Sequence, residues 1–242
     1  MISVVTPTLN AERYLPECLA SLDFADLEHL VVDGGSTDRT LDLARQHPGS
    51  FCLVRPGLNQ AAAINAGFRL ARGEVVAWLN ADDAYAPGAL ALVADRFAAE
   101  QTLDVLIGDC AVVDPCGKPL WYQRPGPYDF QRLLRRGNYL AQPAVFLRRR
   151  VLDSTGLLDE SLEYAMDYDL WLRLRHARID YVATVLARFR WHPGSKTARN
   201  TLGNWRENLR ILRRYGGGWT PSLAWSCGRA MLSLAKQHVL GR

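Results

Sequence analysis

The residues able to do chemistry in this 242-residue chain are concentrated where apolar runs stop. Val75-Val76-Ala77-Trp78-Leu79 ends abruptly in Asn80-Ala81-Asp82-Asp83, an amide and two adjacent carboxylates. A run of bulky and β-branched residues of that length reads as a buried strand. In open α/β sheets, ligands collect just beyond the carboxyl ends of such strands. Nothing nearby in sequence pairs with Asp82 and Asp83, which suits a hard divalent cation carrying phosphate oxygens. Taken alone, the pair has a competing reading, as caps of the turn that leads to Pro87.

The elements that must position these groups alternate. Ile2–Thr6 reads as a strand, and Asn10 is placed to cap a helix through Leu22. His29–Val32 is a second strand, followed by Asp33-Gly34-Gly35-Ser36-Thr37-Asp38, where Ser36 or Thr37 caps a helix to about Gln46. Phe51–Val54 is a third strand, Gln60–Ala71 an alanine-rich helix, and Val75–Leu79 the fourth strand. Pro87 stands at a helix start, where its missing N–H costs nothing. Such alternation means βαβ units and a mostly parallel sheet.

The second half is less regular. Val105–Val113 and Pro119–Tyr122 flank the turn Asp114-Pro115-Cys116-Gly117, which predicts an antiparallel hairpin. Ala144–Leu147 reads as a strand, Asp167–Leu174 as the opening of a helix, and Tyr181–Trp191 as extended. Leu202, Trp205, Leu209 and Leu212 recur at helical spacing, with Arg206, Arg210, Arg213 and Arg214 off that stripe. Gly216-Gly217-Gly218 breaks the chain, and Leu223–Leu240 then shows a wide apolar face beside the polar stripe Ser226, Arg229, Ser233 and Lys236. A spanning helix needs roughly 20 mostly apolar residues, and two charges speak against it here. An interfacial helix, or one packed on its own domain or on a partner subunit, remains open.

Hydrophobic content of 48% with 22% charged residues is that of a soluble globular protein, and excludes disorder. Five cysteines are scattered without CxxC spacing, which argues against a disulfide framework and a zinc site and fits a reducing compartment. No basic leader precedes Ile2-Ser3-Val4-Val5, so the expected location is cytoplasmic. The net charge of +4 hides an asymmetry: from Arg188 onward there are eleven Lys/Arg against the single acid Glu207. A basic tail points to an anionic partner, here a peripheral contact with the cytoplasmic face of a membrane, with a solvated helix face as the alternative.

Thr6-Pro7-Thr8-Leu9-Asn10, Val31-Val32-Asp33-Gly34-Gly35-Ser36-Thr37-Asp38 and Ala77-Trp78-Leu79-Asn80-Ala81-Asp82-Asp83, in that order and spacing, resemble the inverting glycosyltransferases of family 2. Ala165-Met166-Asp167-Tyr168-Asp169-Leu170-Trp171 and Trp191-His192-Pro193-Gly194-Ser195-Lys196 resemble that family's acceptor-side motifs. The resemblance spans about residues 2–200 and implies the GT-A fold, a Rossmann-like, mostly parallel sheet flanked by helices, with an antiparallel acceptor-side part. The expected division is a glycosyltransferase domain at 1–200, with a nucleotide-binding half at 1–100 and an acceptor half at 101–200, then a helical C-terminal tail at 201–242.

By that resemblance the donor is a nucleotide diphosphate sugar, UDP- or dTDP-linked, and the cofactor Mn²⁺ or Mg²⁺. Asp83 binds the metal, joined by His192, while Asp82 hydrogen-bonds the ribose or sugar. Thr6, Pro7, Thr8 and Asn10 line the nucleotide pocket, and Asp33 accepts the imide N–H of the base, with a turn-forming role as its competitor. Asp38 and Ser36 read as helix-start residues. Arg55 reaches base or diphosphate from the end of the third strand; Asn65 and Asn80 are further donor contacts. The family's Lys-Gly pair is Ala66-Gly67 here, which removes a cation. Inverting transfer needs one carboxylate to take the acceptor's proton; Asp167 matches it, with Asp169 the alternative, although the family's preceding acid is Met166. Asp109 and Gln142 are expected on the acceptor side, and Ser195 and Lys196 near phosphate. Arg148-Arg149-Arg150 reads as solvated.

The expected activity is therefore metal-dependent transfer of a sugar to a hydroxyl of a glycan or lipid-linked acceptor in cell-surface polysaccharide synthesis. Homo-oligomerisation is left open. A sugar nucleotidyltransferase would want a glycine-rich, cationic loop after the first strand, which Thr6-Pro7-Thr8-Leu9-Asn10 is not. A nucleic-acid-binding module predicts aromatics interleaved with basic residues on an exposed sheet. Trp205, Trp219 and Trp225 instead fall within or beside apolar helical patterns, so no nucleic-acid partner is expected.

Overall fold

The computed structural model describes residues 1–192, 194–196 and 201–216. The apolar stretch Leu223–Leu240, with Trp219 and Trp225, lies outside the described residues. Four strands, β1 (Ile2–Thr8), β2 (Leu27–Asp33), β3 (Ser50–Val54) and β4 (Val75–Trp78), run parallel in the order β3-β2-β1-β4. Parallel pairing requires long crossovers, and each connection here carries a helix: α1 (Leu15–Ala20), α2 (Thr40–Gln46) and α3 (Gln60–Leu70).

After β5 (Ala84–Tyr85) and α4 (Ala89–Ala99) the sheet becomes mixed. β6 (Val105–Val113) forms the expected antiparallel hairpin with β7 (Pro119–Gln123). Following α5 (Phe130–Arg136), β8 (Val145–Arg148) inserts antiparallel between β4 and β6. Then come α6 (Arg149–Thr155) and α7 (Met166–Arg173). β9 (Ile179–Arg190) runs parallel to β6, with β5 at its far edge, and α8 (Thr201–Arg214) follows.

Both faces of the sheet are covered, which is why β4 reads as a continuous apolar run and burial along β1 and β2 does not alternate. On one face Val5, Leu30, Val32, Val76 and Trp78 pack with Ala61, Ile64 and Phe68 of α3, Tyr168 and Trp171 of α7, and Ile211 and Leu212 of α8. On the other, Ile2, Val4, Val31, Ala77 and Leu79 meet Leu15, Cys18 and Leu19 of α1 and Leu90 and Val93 of α4. Gly67 is needed because α3 lies so close to β1: a Cβ there would stand 2.4 Å from Val5 Cγ1. The helix 201–214 thus shares the core of the sheet it follows.

Trp78 fixes the end of β4. Its ring meets Phe68 edge-on, with centroids 6.0 Å apart, and stacks on Trp171 at 5.7 Å and 19°. Offset-stacked and edge-to-face aromatic pairs add about 0.5–1.5 kcal/mol beyond the area they bury. They bind the strand that delivers Asn80 to Asp83 directly to the helix that delivers Asp167.

Three sequence expectations are overturned here, the first because α2 starts at Thr40 with Arg39 at its N-cap and no side-chain cap, so neither Ser36 nor Thr37 caps it. Asn10 does not cap a helix: α1 starts at Leu15, and Asn10 sits in the left-handed region at φ 50°, its Oδ1 accepting the N–H of Thr37 at 2.9 Å. Asparagine is one of the few non-glycine residues that visit that conformation routinely, and here the bond to Thr37 across 27 residues holds it there. Nor is Arg148 solvated. Only 2% exposed, it donates to the carbonyls of Leu103 (2.8 Å), Phe97 (2.9 Å) and Glu100 (3.1 Å) and pairs with Glu74. Phe97 and Glu100 are carbonyls at the C-terminal end of α4, which lack helical partners and attract a cation. Arg149 likewise donates to Ala71 O, and Arg150 pairs with Asp104 at 2.9 Å. Arg148→Met should therefore lower unfolding stability by about 3 kcal/mol, since it leaves buried carbonyls unpaired. An unchanged urea midpoint would refute that.

Candidate active site

The loops leaving β1 and β2 are laced together. Asp33 is fully buried, and its carboxylate accepts four bonds: Gly35 N (2.9 Å) and Ser36 N (2.8 Å) on Oδ1, Thr8 Oγ1 (3.0 Å) and Ser36 Oγ (2.5 Å) on Oδ2. A carboxylate has about four lone-pair sites. The turn-forming role is thus fully expressed, and a base N–H would have to displace a hydroxyl. Ser36 Oγ also accepts Asn10 N (2.9 Å), and Asp38 accepts Glu12 N (3.1 Å) and Thr40 N (2.9 Å).

The hydroxyls of Thr6 and Thr8 do not line an open pocket as expected. Thr6 is buried with its Oγ1 2.9 Å from His29 Nε2, and Thr8 serves Asp33. Both point toward β2. Burial, and then His47, pushes His29 down to about 3, so its imidazole is neutral. Pro7 is partly exposed, and Arg55 is exposed at the end of β3, its N–H on Asp33 O at 2.8 Å and its guanidinium donating to Val54 O. Asn65 is turned inward, 1% exposed. Its amide donates to Leu158 O and Glu160 Oε1, both at 2.9 Å, and its carbonyl accepts Leu158 N. It clamps the 156–160 loop and has no N–H left for a sugar.

At the end of β4 the two carboxylates part. Asp83 is 1% exposed; its Oδ1 accepts Arg190 N at 2.9 Å and its Oδ2 accepts Asn80 Nδ2 at 3.2 Å. Burial, and then the adjacent Asp82 charge, push its carboxyl well above the ordinary range. Asp82 is the accessible member, with Oδ2 3.0 Å from His192 Nε2. His192 therefore faces Asp82 rather than Asp83. Asn80 is consumed holding Asp83: its amide also donates to Gln142 Oε1 (3.2 Å), and its Oδ1 accepts Gln60 Nε2 (2.7 Å). Gln142 in turn donates to Trp78 O (2.7 Å), so it belongs to this network rather than to a separate acceptor surface. Lys196 reaches the other end of the network, 3.3 Å from Gln60 Oε1 and 2.6 Å from Glu163 Oε1.

These residues fit a divalent cation. Two carboxylates suit Mn²⁺ or Mg²⁺, with an imidazole at hand, and Arg190 only partly offsets the burial and the Asp82 charge that disfavour Asp83 as an anion. No group of three ligating side chains converges among the described residues. An ion bound there would rest on one or two carboxylates and complete its shell with water and substrate phosphates.

Asp167 lies at the start of α7, partly exposed, with Oδ1 accepting Tyr168 N (2.7 Å) and Oδ2 accepting Asn138 Nδ2 (2.8 Å). Burial pushes its carboxyl up to about 6, against the pull of those two bonds. Asn138 and Gln142 are four residues apart, so their Cα atoms are separated by no more than about 14 Å. A short segment thus joins Asp167 to the Asn80–Asp83 network. Asp169 is not available as an alternative: it is 3% exposed and ion-paired with Arg173 at 3.0 Å. Asp109, 5% exposed, accepts Tyr181 Oη at 2.6 Å and lies 3.7 Å from Arg124 Nε, bracing the bulged β6–β9 register.

Three residues of this site were not expected. Arg190, 2% exposed, seats Asp83 through its N–H, donates to the carbonyls of Asp82 (3.1 Å), Asp114 (3.1 Å) and Pro115 (3.0 Å), and pairs with Glu17. Tyr14 lies under it, ring centroid 5.0 Å from its Cζ and 5.0 Å from the His192 ring. Asn138 holds Asp167. Only Arg190 carried a signal, as the cation beside Trp191-His192.

A family model described as glycosyl transferase family 2 matches residues 3–156. The PGL/p-HBAD biosynthesis glycosyltransferase of Mycobacterium bovis (strain BCG / Pasteur 1173P2) is 32% identical over 182 residues, covering 72% of this chain and 69% of that protein. S. aureus TarS 1-349 in complex with UDP-GlcNAc has a TM-score of 0.72 at 23% identity, over 87% of this chain and 65% of that one, just under two thirds of its length. The mannosyltransferase PcManGT from Pyrobaculum calidifontis, in complex with GDP-Man and Mn²⁺, has a TM-score of 0.64 at 20% identity, over 100% of this chain and 76% of that one. The fold shared with both is GT-A.

Proposed function

The chain belongs to glycosyl transferase family 2 and is a glycosyltransferase, and on that premise we propose that it performs metal-dependent inverting transfer from a UDP- or dTDP-linked sugar to a hydroxyl of a glycan or lipid-linked acceptor in cell-surface polysaccharide synthesis. The pairing of two separate acidic sites supports this: Asp82, Asp83 and His192 at the end of β4, and a lone, partly exposed carboxyl at Asp167. The donor's diphosphate belongs to the first site and the acceptor's proton to the second.

In the reaction the acceptor oxygen bonds to the anomeric carbon from the face opposite the leaving group. Its proton passes to Asp167, and the bond from the anomeric carbon to the diphosphate oxygen breaks, releasing the nucleoside diphosphate. Asp82, Asp83 and His192 would hold Mn²⁺ or Mg²⁺, which when bound offsets the charge developing on the leaving diphosphate. Asn80, Gln142 and Gln60 keep Asp83 in place, and Arg190 seats it from behind. Arg55 lies at the rim where base and diphosphate would lie, and the buried Asp33 behind it would exchange a hydroxyl bond for the imide N–H. Peripheral membrane contact is supported by the exposed Arg206, Arg210 and Arg213 of α8. No helix among the described residues is long and apolar enough to cross a membrane.

The test is release of nucleoside diphosphate from a panel of UDP-, dTDP- and GDP-sugars with Mn²⁺ or Mg²⁺, with and without anionic vesicles carrying lipid-linked acceptors. A uridine or thymidine donor should turn over only with the ion, and faster on vesicles. Turnover of no donor, or equal turnover in chelator, would sink the assignment. Equal rates with soluble and vesicle-borne acceptors would remove the membrane from it.

A further inference from the structure

Helix α7 begins without a cap of its own. Its N-cap residue is Ala165, which has no side-chain oxygen, and the chain enters it through Glu163 and Tyr164. A helix N-terminus leaves four N–H groups unsatisfied, and an entry segment this close to the core must satisfy its own as well. The partner comes from far along the chain. Glu207, in the middle of α8, accepts Glu163 N at 2.8 Å on Oε1, and Tyr164 N at 2.7 Å and Ala165 N at 3.0 Å on Oε2. One carboxylate thus holds three consecutive backbone N–H groups, and the next residue but one is Asp167. Charge-assisted bonds of this kind are about twice as strong as neutral ones.

The rest of α8 reinforces the grip. Ile211 and Leu212 are buried in the cluster that contains Tyr168, Leu170 and Trp171 of α7. Arg214 pairs with Asp159 at 2.9 Å and approaches Asp169 at 3.7 Å. Glu207 is also the single acid among the eleven basic residues from Arg188 onward, and with Arg206 and Arg210 beside it in sequence its carboxylate nonetheless turns to these N–H groups.

We propose that Glu207 is a positioning residue for the transfer reaction, setting the place and aim of the Asp167 carboxylate by holding the entry to α7. The inference rests on Asp167 being the base. It assigns a catalytic consequence to a residue outside the 3–156 segment that carries the family match. Both carboxylate oxygens of Glu207 are turned to the entry of α7 and not to the Asp82–Asp83 site, so its removal should act on the rate and not on donor affinity. Misplacing a reacting group by about 1 Å costs on the order of a hundredfold.

The test is a set of variants read for Tm, donor affinity by calorimetry, and kcat at saturating donor. Glu207→Gln keeps the volume but puts an NH₂ against N–H groups, because an amide has one accepting oxygen where the carboxylate had two. It should remain folded, bind donor within twofold of the parent, and lose 10- to 100-fold in kcat. Glu207→Asp, which keeps the charge on a shorter arm, should recover a substantial part of that loss. The double variant Glu207→Gln/Asp167→Asn should be no slower than Asp167→Asn alone, because both changes act through one group. Parent-like kcat in Glu207→Gln, an equal loss in Glu207→Asp, or loss of donor binding in the folded variant would each overturn the proposal, as would a further full loss in the double variant. If Glu207→Gln does not fold, the rate and donor affinity of Glu207→Asp decide. Parent-like transfer by Asp167→Asn would instead remove the base assignment itself, whatever Glu207 does.

Discussion

Asp167→Asn should cut transfer by at least about a thousandfold while leaving donor affinity within a factor of two; general-base catalysis contributes typically 10²–10⁴-fold. Asparagine is nearly isosteric, and its carbonyl still accepts the N–H of Tyr168 or the amide of Asn138, so α7 keeps its start. What is lost is the capacity to take a proton. In the parent, burial raises that capacity to about 6, high enough to drive proton transfer and low enough to leave the group ionised near neutrality. The sign of the pH dependence follows. Below pH 6 the carboxyl is protonated and idle, so kcat should fall about tenfold per pH unit on the acid side and level off above. Asn138→Ala removes a bond that favours the charged form, and should move that acid limb to higher pH. A flat profile from pH 5 to 8 at saturating donor would contradict the role given to Asp167, as would an Asp167→Asn variant that had lost the donor.

The carboxyl edge of the parallel sheet was legible because two local signals coincide there. An apolar run marks a strand, and the polar residues that end it mark the side on which ligands collect. Asn80, Asp82 and Asp83 could therefore be placed from residues 75–83 alone, and Asp167 from the helix it opens. Direction was not legible. Thr6 and Thr8 stand where expected, but the position of a strand end does not say which way a hydroxyl turns, and both turn to β2. Nor were partners legible. Arg190 meets Asp83 across 107 residues, Asn138 meets Asp167 across 29, and Glu207 meets Glu163 across 44. Long contacts of this kind are set by sheet order, and inserting β8 between β4 and β6 is what brings Gln142 beneath Asn80. Arg148 fails for a related reason: the sequence displays its charge but not the α4 carbonyls it covers.

Asp83→Asn should abolish ion-dependent turnover, lowering kcat/KM by on the order of a thousandfold, whereas Asp82→Asn should cost less. Lewis-acid stabilisation of a leaving diphosphate is worth several kcal/mol, and each 1.36 kcal/mol is tenfold in rate. The asymmetry comes from how the two carboxylates are held. Asp83 is fixed by Arg190 N on one oxygen and Asn80 on the other, so its remaining lone pairs keep a constant aim. Asp82 is accessible and bonded to His192, a contact that has to open before either side chain reaches an ion. A preset ligand contributes more than one that must first be released, because its ordering is already complete before the ion arrives. In the ion-free protein that arrangement holds a buried carboxyl beside a like charge, an arrangement of the kind found at functional sites. Adding Mn²⁺ with a nucleoside diphosphate should therefore raise the Tm of the parent strongly, that of Asp82→Asn in part, and that of Asp83→Asn hardly at all. Equal Mn²⁺-dependent shifts in the parent and Asp83→Asn would place the ion elsewhere. A larger loss at Asp82 would make the exposed carboxylate, with His192, the principal ligand.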